Sequence, residues 1–189
     1  MALILTLDVN GSPNKWVSIQ DAVTYQAKNQ IAWSLGDELF TLHGGISRMT
    51  GEVSTISTPS IIAVKGEKGR KHHSSYKTPV LTNRALFRRD RQICAYCGKH
   101  FHADDLTRDH IKPKAQGGLD IWMNVVAACQ RCNQHKDCRT PEQAHMELLY
   151  IPYVPTRAEH LILMNRNILA DQMDFLMQFV PQNSRLHLN

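Results

Sequence analysis

The sequence predicts an α+β protein with a metal-clamped centre. The first 64 residues alternate strand-like apolar runs with one helix-like segment, four of the five cysteines stand as two Cys-x-x-Cys pairs, and the C-terminal stretch carries two helix-start signatures. The 189 residues accordingly divide into an N-terminal α+β region at 1–80 ending in a basic loop, a central domain at 81–140 and a C-terminal helical region at 141–189. A chain of this length buries roughly 70% of its unfolded surface. A composition of 42% hydrophobic and 21% charged residues, with no fixed-period repeat, excludes a disordered or fibrous chain.

The opening Leu3–Leu7 reads as a strand, followed by a turn at Gly11-Ser12-Pro13-Asn14. Ser18 then N-caps a helix from Ile19 to Asn29 with Ile19, Val23 and Ala27 along one face. Ile31–Leu35, Leu39–Leu42 and Ser60–Val64 are further strands, separated by Gly36-Asp37, Gly44-Gly45 and Pro59. Met1–Leu7 has no basic stretch and runs into Asp8, so it reads as a strand and not an export signal. No run approaches the ~18 apolar residues of a membrane span. The expectation is a cytoplasmic protein with no membrane partner.

The net charge of +5 is unevenly distributed. Residues 1–64 carry three Lys/Arg against five Asp/Glu, residues 65–139 sixteen against seven, and residues 140–189 three against five. A basic centre between mildly acidic flanks points to a polyanion-binding surface. Residues 65–80 read as a mobile basic loop, and a short helix follows from Asn83 to Arg91. On that helix Arg84, Arg88 and Arg91 fall at helical spacing on one face, whose mutual repulsion a bound phosphate backbone would offset.

Cys94 pairs with Cys97 and Cys129 with Cys132, in a chain with too few cysteines for a disulfide scaffold. The pairs are separated by 31 residues, so the insertion between them must itself hold structure. Four thiolates in two tight knuckles make a closed tetrahedral zinc site, which is structural because no position is left for water. Cys138 is spare.

Beyond the cysteines, Thr140-Pro141-Glu142-Gln143 opens a helix to Tyr150. Pro152 and Pro155 break the chain, and Thr156 with Glu159 opens a long helix to Pro181. Its apolar stripe runs Leu161, Met164, Ile168, Leu169, Met173, Leu176, Phe179 and Val180. Two readings fit such a stripe, a homodimer helix and packing against its own domain.

Between the cysteine pairs lie Leu106-Thr107-Arg108-Asp109-His110-Ile111-Lys112-Pro113, a Gly117-Gly118 loop and Asn124-Val125-Val126. Arg89-Asp90-Arg91 and Tyr96-Cys97-Gly98 precede them, and Cys129-x-x-Cys132-Asn133-x-x-Lys136 closes the series. In this order, over Arg88 to Pro141, the chain resembles the HNH endonucleases with the ββα-metal (His-Me finger) fold. The resemblance implies a core of that fold, stabilised by the zinc site, between the N-terminal unit and the C-terminal helices. It also implies that Asp109 is a ligand of a catalytic divalent cation and that Asn124, a further member of the catalytic set, hydrogen-bonds the backbone around the His110 loop and fixes the imidazole with no contact to substrate. Asn133, at the start of the following helix, would be the second protein ligand of that cation. The literal His-Asn-His pattern has Asn133 in its third place, and His135, two residues on, points elsewhere.

Hydrolysis of a phosphodiester needs an activated water, a cation for the charge on the phosphate and the departing 3′ oxygen, and a groove for the backbone. His110, at a strand end, would be the general base, because a neutral imidazole titrates nearest working pH. Two protein oxygen ligands completed by water and phosphate suit Mg2+ or Mn2+. Lys136 shares a helix face with Asn133 and is a candidate phosphate contact, as are Lys112, Arg84, Arg88 and Arg91. The sequence therefore reads as a metal-dependent HNH endonuclease acting on DNA, most simply double-stranded. The alternative is a zinc-dependent nucleic-acid-binding module without catalysis, which would not need Asp109, His110 and Asn133 together.

Overall fold

The structure, a computed structural model, describes residues 3–66 and 78–187, with backbone alone at 37–39. Most of the expected basic loop at 65–80 therefore lies outside the described residues. The chain forms two compact units, Met1–Lys77 with Thr156–Asn189, and Thr78–Pro155. The C-terminal helices thus make no third region, because they complete the core of the first unit.

That first unit is built on a four-stranded sheet in the order β2-β1-β4-β3. Strand β1 (Ile4–Leu7) runs antiparallel to β2 (Pro13–Val17) and parallel to β4 (Val53–Val64), which pairs antiparallel with β3 (Ile31–Ile46). All of β1 is buried because both faces of the sheet are covered. Leu5, Leu7, Ile61 and Ala63 face Ala158, Leu161, Leu176 and Val180, while Ile4 and Ile62 face Ala22.

Strand β2 was not foreseen. The turn closes earlier, with Asp8 Oδ1 accepting from the backbone N–H of Asn10 and Ser12, both at 2.9 Å, so that Pro13 and Asn14 already belong to a strand. Helix α1 (Ile19–Ala27) starts as expected at Ser18, whose hydroxyl accepts from Asp21 N at 3.1 Å in a capping box. Its buried residue is Ala22, and Ala27 is exposed. The separate strands expected between 31 and 64 are one long hairpin. Gly36 takes φ +82° and Pro59 pairs with Glu38 between two register shifts, so residues that read as breaks are absorbed as bulges.

The single helix expected to run to Pro181 is two. Helix α4 (Arg157–Met164) has the foreseen Thr156–Glu159 capping box. It stops where the Asn165 side chain accepts from Asn167 N at 3.0 Å, an Asx turn that competes with helix. Helix α5 (Ala170–Met177) is pinned by buried Gln172, which donates to the carbonyls of Leu3 and Ser60 at 2.8 and 2.9 Å. Leu161, Leu176 and Val180 are spent on the unit's own core, so that much of the stripe packs within its own domain.

In the second unit, helix α2 (Asn83–Arg89) starts at the Thr82 cap. Strands β5 (Leu106–His110) and β6 (Val125–Cys129) form an antiparallel pair with His110 opposite Val125, and α3 (Gln130–Lys136) follows directly. This ββα order is the one the resemblance implied. Arg89 ties the unit together. Fully buried, it pairs with Asp90 at 2.7 Å and donates to the carbonyls of Trp122, Val125 and Tyr153 at 2.7, 2.7 and 3.0 Å. Asp90 in turn accepts from Ala127 N on β6 at 2.8 Å. Among the described residues 141–150 there is no helix. Thr140 and Gln143 do exchange their capping bonds, but Gln143 also binds Gln116 and His145 takes φ +54°, so the chain makes one turn and leaves.

Candidate active site

The Sγ atoms of Cys94, Cys97, Cys129 and Cys132 all lie within 4.8 Å of one another. A tetrahedral zinc with ~2.3 Å bonds needs sulfurs about 3.8 Å apart, so the four thiols fit the ion with a small contraction. The first knuckle is closed by Cys94 N to Lys99 O at 2.9 Å and Gly98 N to Cys94 O at 3.0 Å, with Gly98 at φ +69°. The second knuckle spans the end of β6 and the first turn of α3, and Ala95 N to Ala127 O at 2.8 Å joins the two. Burial and the neighbouring sulfurs push the Cys132 thiol well up, the condition that a cation relieves. A metal ion held by the four thiols would therefore tie down β6 and the start of α3, and with them Asn133.

His110 ends β5, its side chain 15% exposed. Its Nε2 lies 2.8 Å from Asp120 Oδ1, while Arg108 donates to Asp120 Oδ2 at 2.6 Å. Burial would raise the Asp120 pKa, but the hydrogen bonds and charges of Arg108 and His110 outweigh it and hold the carboxyl below its usual range.

Asp109 points to the other face of the strand and is buried. Its Oδ1 accepts from Lys136 Nζ at 2.9 Å, and its Oδ2 accepts from the Tyr96 hydroxyl. Burial and the adjacent carboxylate push the Tyr96 pKa far up, so the phenol keeps its proton and donates. Lys136 also donates to the His110 carbonyl at 2.8 Å and is fully buried. The expectation that Lys136 contacts phosphate is therefore corrected: the helix face it shares with Asn133 turns toward β5, and its ammonium is consumed within the protein.

Asn133 sits in the first turn and a half of α3 and donates to Thr107 Oγ1 at 2.9 Å, and its Oδ1 carries no hydrogen bond among the described residues. Asp109, His110 and Asn133 all line one cavity of about 200 Å³, together with Lys136. For the divalent cation that the resemblance implies, the residue types fit: an aspartate and an asparagine, both oxygen donors, line the same small cavity. A cation there would share Asp109 with Lys136.

Asn124 does not touch the imidazole. Its Oδ1 accepts from Lys112 N at 2.9 Å, and its Nδ2 donates to the carbonyls of Lys112 and Leu119 at 3.0 and 2.8 Å, so one side chain latches both ends of the loop after His110. The loop closes tightly enough that a Cβ on Gly118 would stand 1.8 Å from the Lys112 carbonyl oxygen, so only glycine fits.

Lys112 and Arg84 are exposed. Arg88 is half-buried, and Arg91 lies past the helix end at φ +53°. The three arginines therefore do not share one helical face, because the helix stops at Arg89. Cys138 is exposed and borders the His110 cavity. Sequence reasoning missed Asp120, Arg108, Tyr96 and the buried partnership of Lys136. The one available signal for Asp120 was its place just beyond the Gly117-Gly118 turn.

Residues 94–149 match a family model described as HNH endonuclease. Over 44 residues, 23% of this chain, the sequence is 48% identical to the CRISPR-associated endonuclease Cas9 of Corynebacterium diphtheriae. The match spans 4% of that relative's length. The family-model match falls on the unit that carries the cysteines and His110.

Proposed function

We propose, from the premise that residues 94–149 form an HNH endonuclease module, that the protein is a metal-dependent endonuclease that hydrolyses phosphodiester bonds in double-stranded DNA in the cytoplasm. The observation that carries this reading is the convergence of His110, Asp109 and Asn133 on one cavity at the end of β5. His110 acts as the general base: its imidazole takes a proton from the attacking water as the new P–O bond forms and the bond to the 3′ oxygen breaks. The cation that Asp109 and Asn133 would hold, Mg2+ or Mn2+, supplies charge stabilisation at the phosphate when bound. Asn124 fixes the loop that borders the cavity, and the structural zinc fixes the helix that presents Asn133. Lys112, Arg84, Arg88 and Arg91 are the proposed contacts to the DNA backbone.

Plasmid conversion by the wild-type protein with Mg2+, with Mn2+ and with EDTA tests this function. Nicking or linearisation that EDTA abolishes is expected. Salt-sensitive DNA binding with no cleavage of any plasmid or oligonucleotide would replace the enzyme with a binding module.

A further inference from the structure

We propose that Asp120 is a positioning residue that fixes the ring orientation and tautomer of His110, with Arg108 holding Asp120 in place, so that Nδ1 is the atom that receives the proton. The inference rests on the reading of His110 as general base and extends it to a residue outside the quoted family pattern.

Arg108 and His110 are two residues apart on β5 and so share a face of the strand. Asp120 comes from a different segment and bridges them. Its side chain is 41% exposed, yet both carboxylate oxygens are engaged, Oδ1 with His110 Nε2 at 2.8 Å and Oδ2 with Arg108 at 2.6 Å. An exposed carboxylate is normally a mobile surface group, and this one is held by the backbone behind it. Leu119, its predecessor, is latched by Asn124 at 2.8 Å, and Gly118 N donates to Pro113 O at 2.9 Å. The loop that Asn124 fastens therefore delivers Asp120 to the imidazole, which links Asn124 to the base by a specific route.

A carboxylate accepts and does not donate, so a neutral His110 facing Asp120 carries its hydrogen on Nε2 and its lone pair on Nδ1. Among the described residues Nδ1 has no hydrogen-bond partner. During the reaction the water proton goes to Nδ1, the Nε2 proton stays in place, and the resulting imidazolium faces an ionised carboxylate. Asp120 itself gains no proton. The Arg108 guanidinium keeps the carboxylate aimed, which a lone exposed aspartate would not be.

The test combines Asp120→Ala and Asp120→Glu with two readouts. In steady-state cleavage, the alanine variant is expected to lose kcat about tenfold or more while KM stays within about twofold, and the glutamate variant to recover part of kcat. In 15N spectra of the imidazoles, recorded above their titration range, wild-type His110 is expected as the Nε2–H tautomer and the alanine variant as a mixture. The spectra need no cleavage, so they judge the positioning role even if no substrate is cut. A wild-type His110 in the Nδ1–H form, or an alanine variant with unchanged kcat and unchanged tautomer, would overturn the proposal.

Discussion

Lys136 Nζ stands 2.9 Å from Asp109 Oδ1, with the two side chains 1% and 5% exposed. This ion pair crosses from α3 to β5 and makes the side chain beside the candidate base part of the unit's interior. A buried pair of this kind is expensive to break, because the remaining charge is left without a partner. Lys136→Met is therefore expected to destabilise the central unit by about 3–5 kcal/mol in chemical denaturation. Added Mg2+ is expected to restore more stability to the variant than to the wild type, since the cation would take over the vacated carboxylate. Equal stability of the two proteins without added cation would show that the pair contributes nothing.

Arg89 should behave similarly for a different reason. Its guanidinium satisfies Asp90 and three backbone carbonyls at once, a planar fork that lysine cannot reproduce. Arg89→Lys is expected to cost about 3 kcal/mol or more, measured by urea unfolding followed at the central unit's signals. A lysine variant as stable as the wild type would remove Arg89 from the account of how the unit is held.

Zinc binding is folding free energy in a clamp of this kind. Cys97→Ser or Cys129→Ser is expected to abolish stoichiometric zinc by elemental analysis and to lower the melting temperature of the central unit, with chelator producing the same loss in the wild type. Because the ligands must be thiolates, zinc affinity should fall as the pH is lowered. Full thermal stability after complete zinc removal would count against the clamp.

The folded-state pKa of Asp120 is depressed by Arg108 and His110 against the opposing effect of burial. A depressed carboxylate contributes stability above its unfolded value, and that contribution disappears as pH falls through the folded value. The stability difference between the wild type and Asp120→Ala should accordingly be present at neutral pH and vanish in acid below the usual aspartate range. A difference that grows on acidification would reverse the assignment.

The cysteine clamp, the strand ending in Asp109-His110 and the caps at Ser18 and Thr156 were legible because each depends on a few residues at fixed spacing. What the sequence hid depends on distant partners. Pro59 and Gly36 read as breaks because only the neighbouring strand turns them into bulges. Asn165 gave no warning of splitting the C-terminal helix, since its Asx turn competes on equal local terms with the helix. At the site, Lys136 looked like a surface cation until the packing of α3 on β5 buried it against Asp109. Asp120 was hidden for the same reason, its place after the Gly117-Gly118 turn aside: its meeting with His110 is produced by closure of the loop through Asn124 and Gly118, not by any spacing along the chain.

The central claim, that His110 is the base of a nuclease, is tested most directly by plasmid conversion with the wild type and His110→Ala side by side, each with Mg2+, Mn2+ or EDTA. The account predicts metal-dependent cleavage by the wild type and a loss of about a hundredfold or more in the variant, with folding, zinc content and DNA affinity retained. Equal cleavage by the two proteins would contradict it.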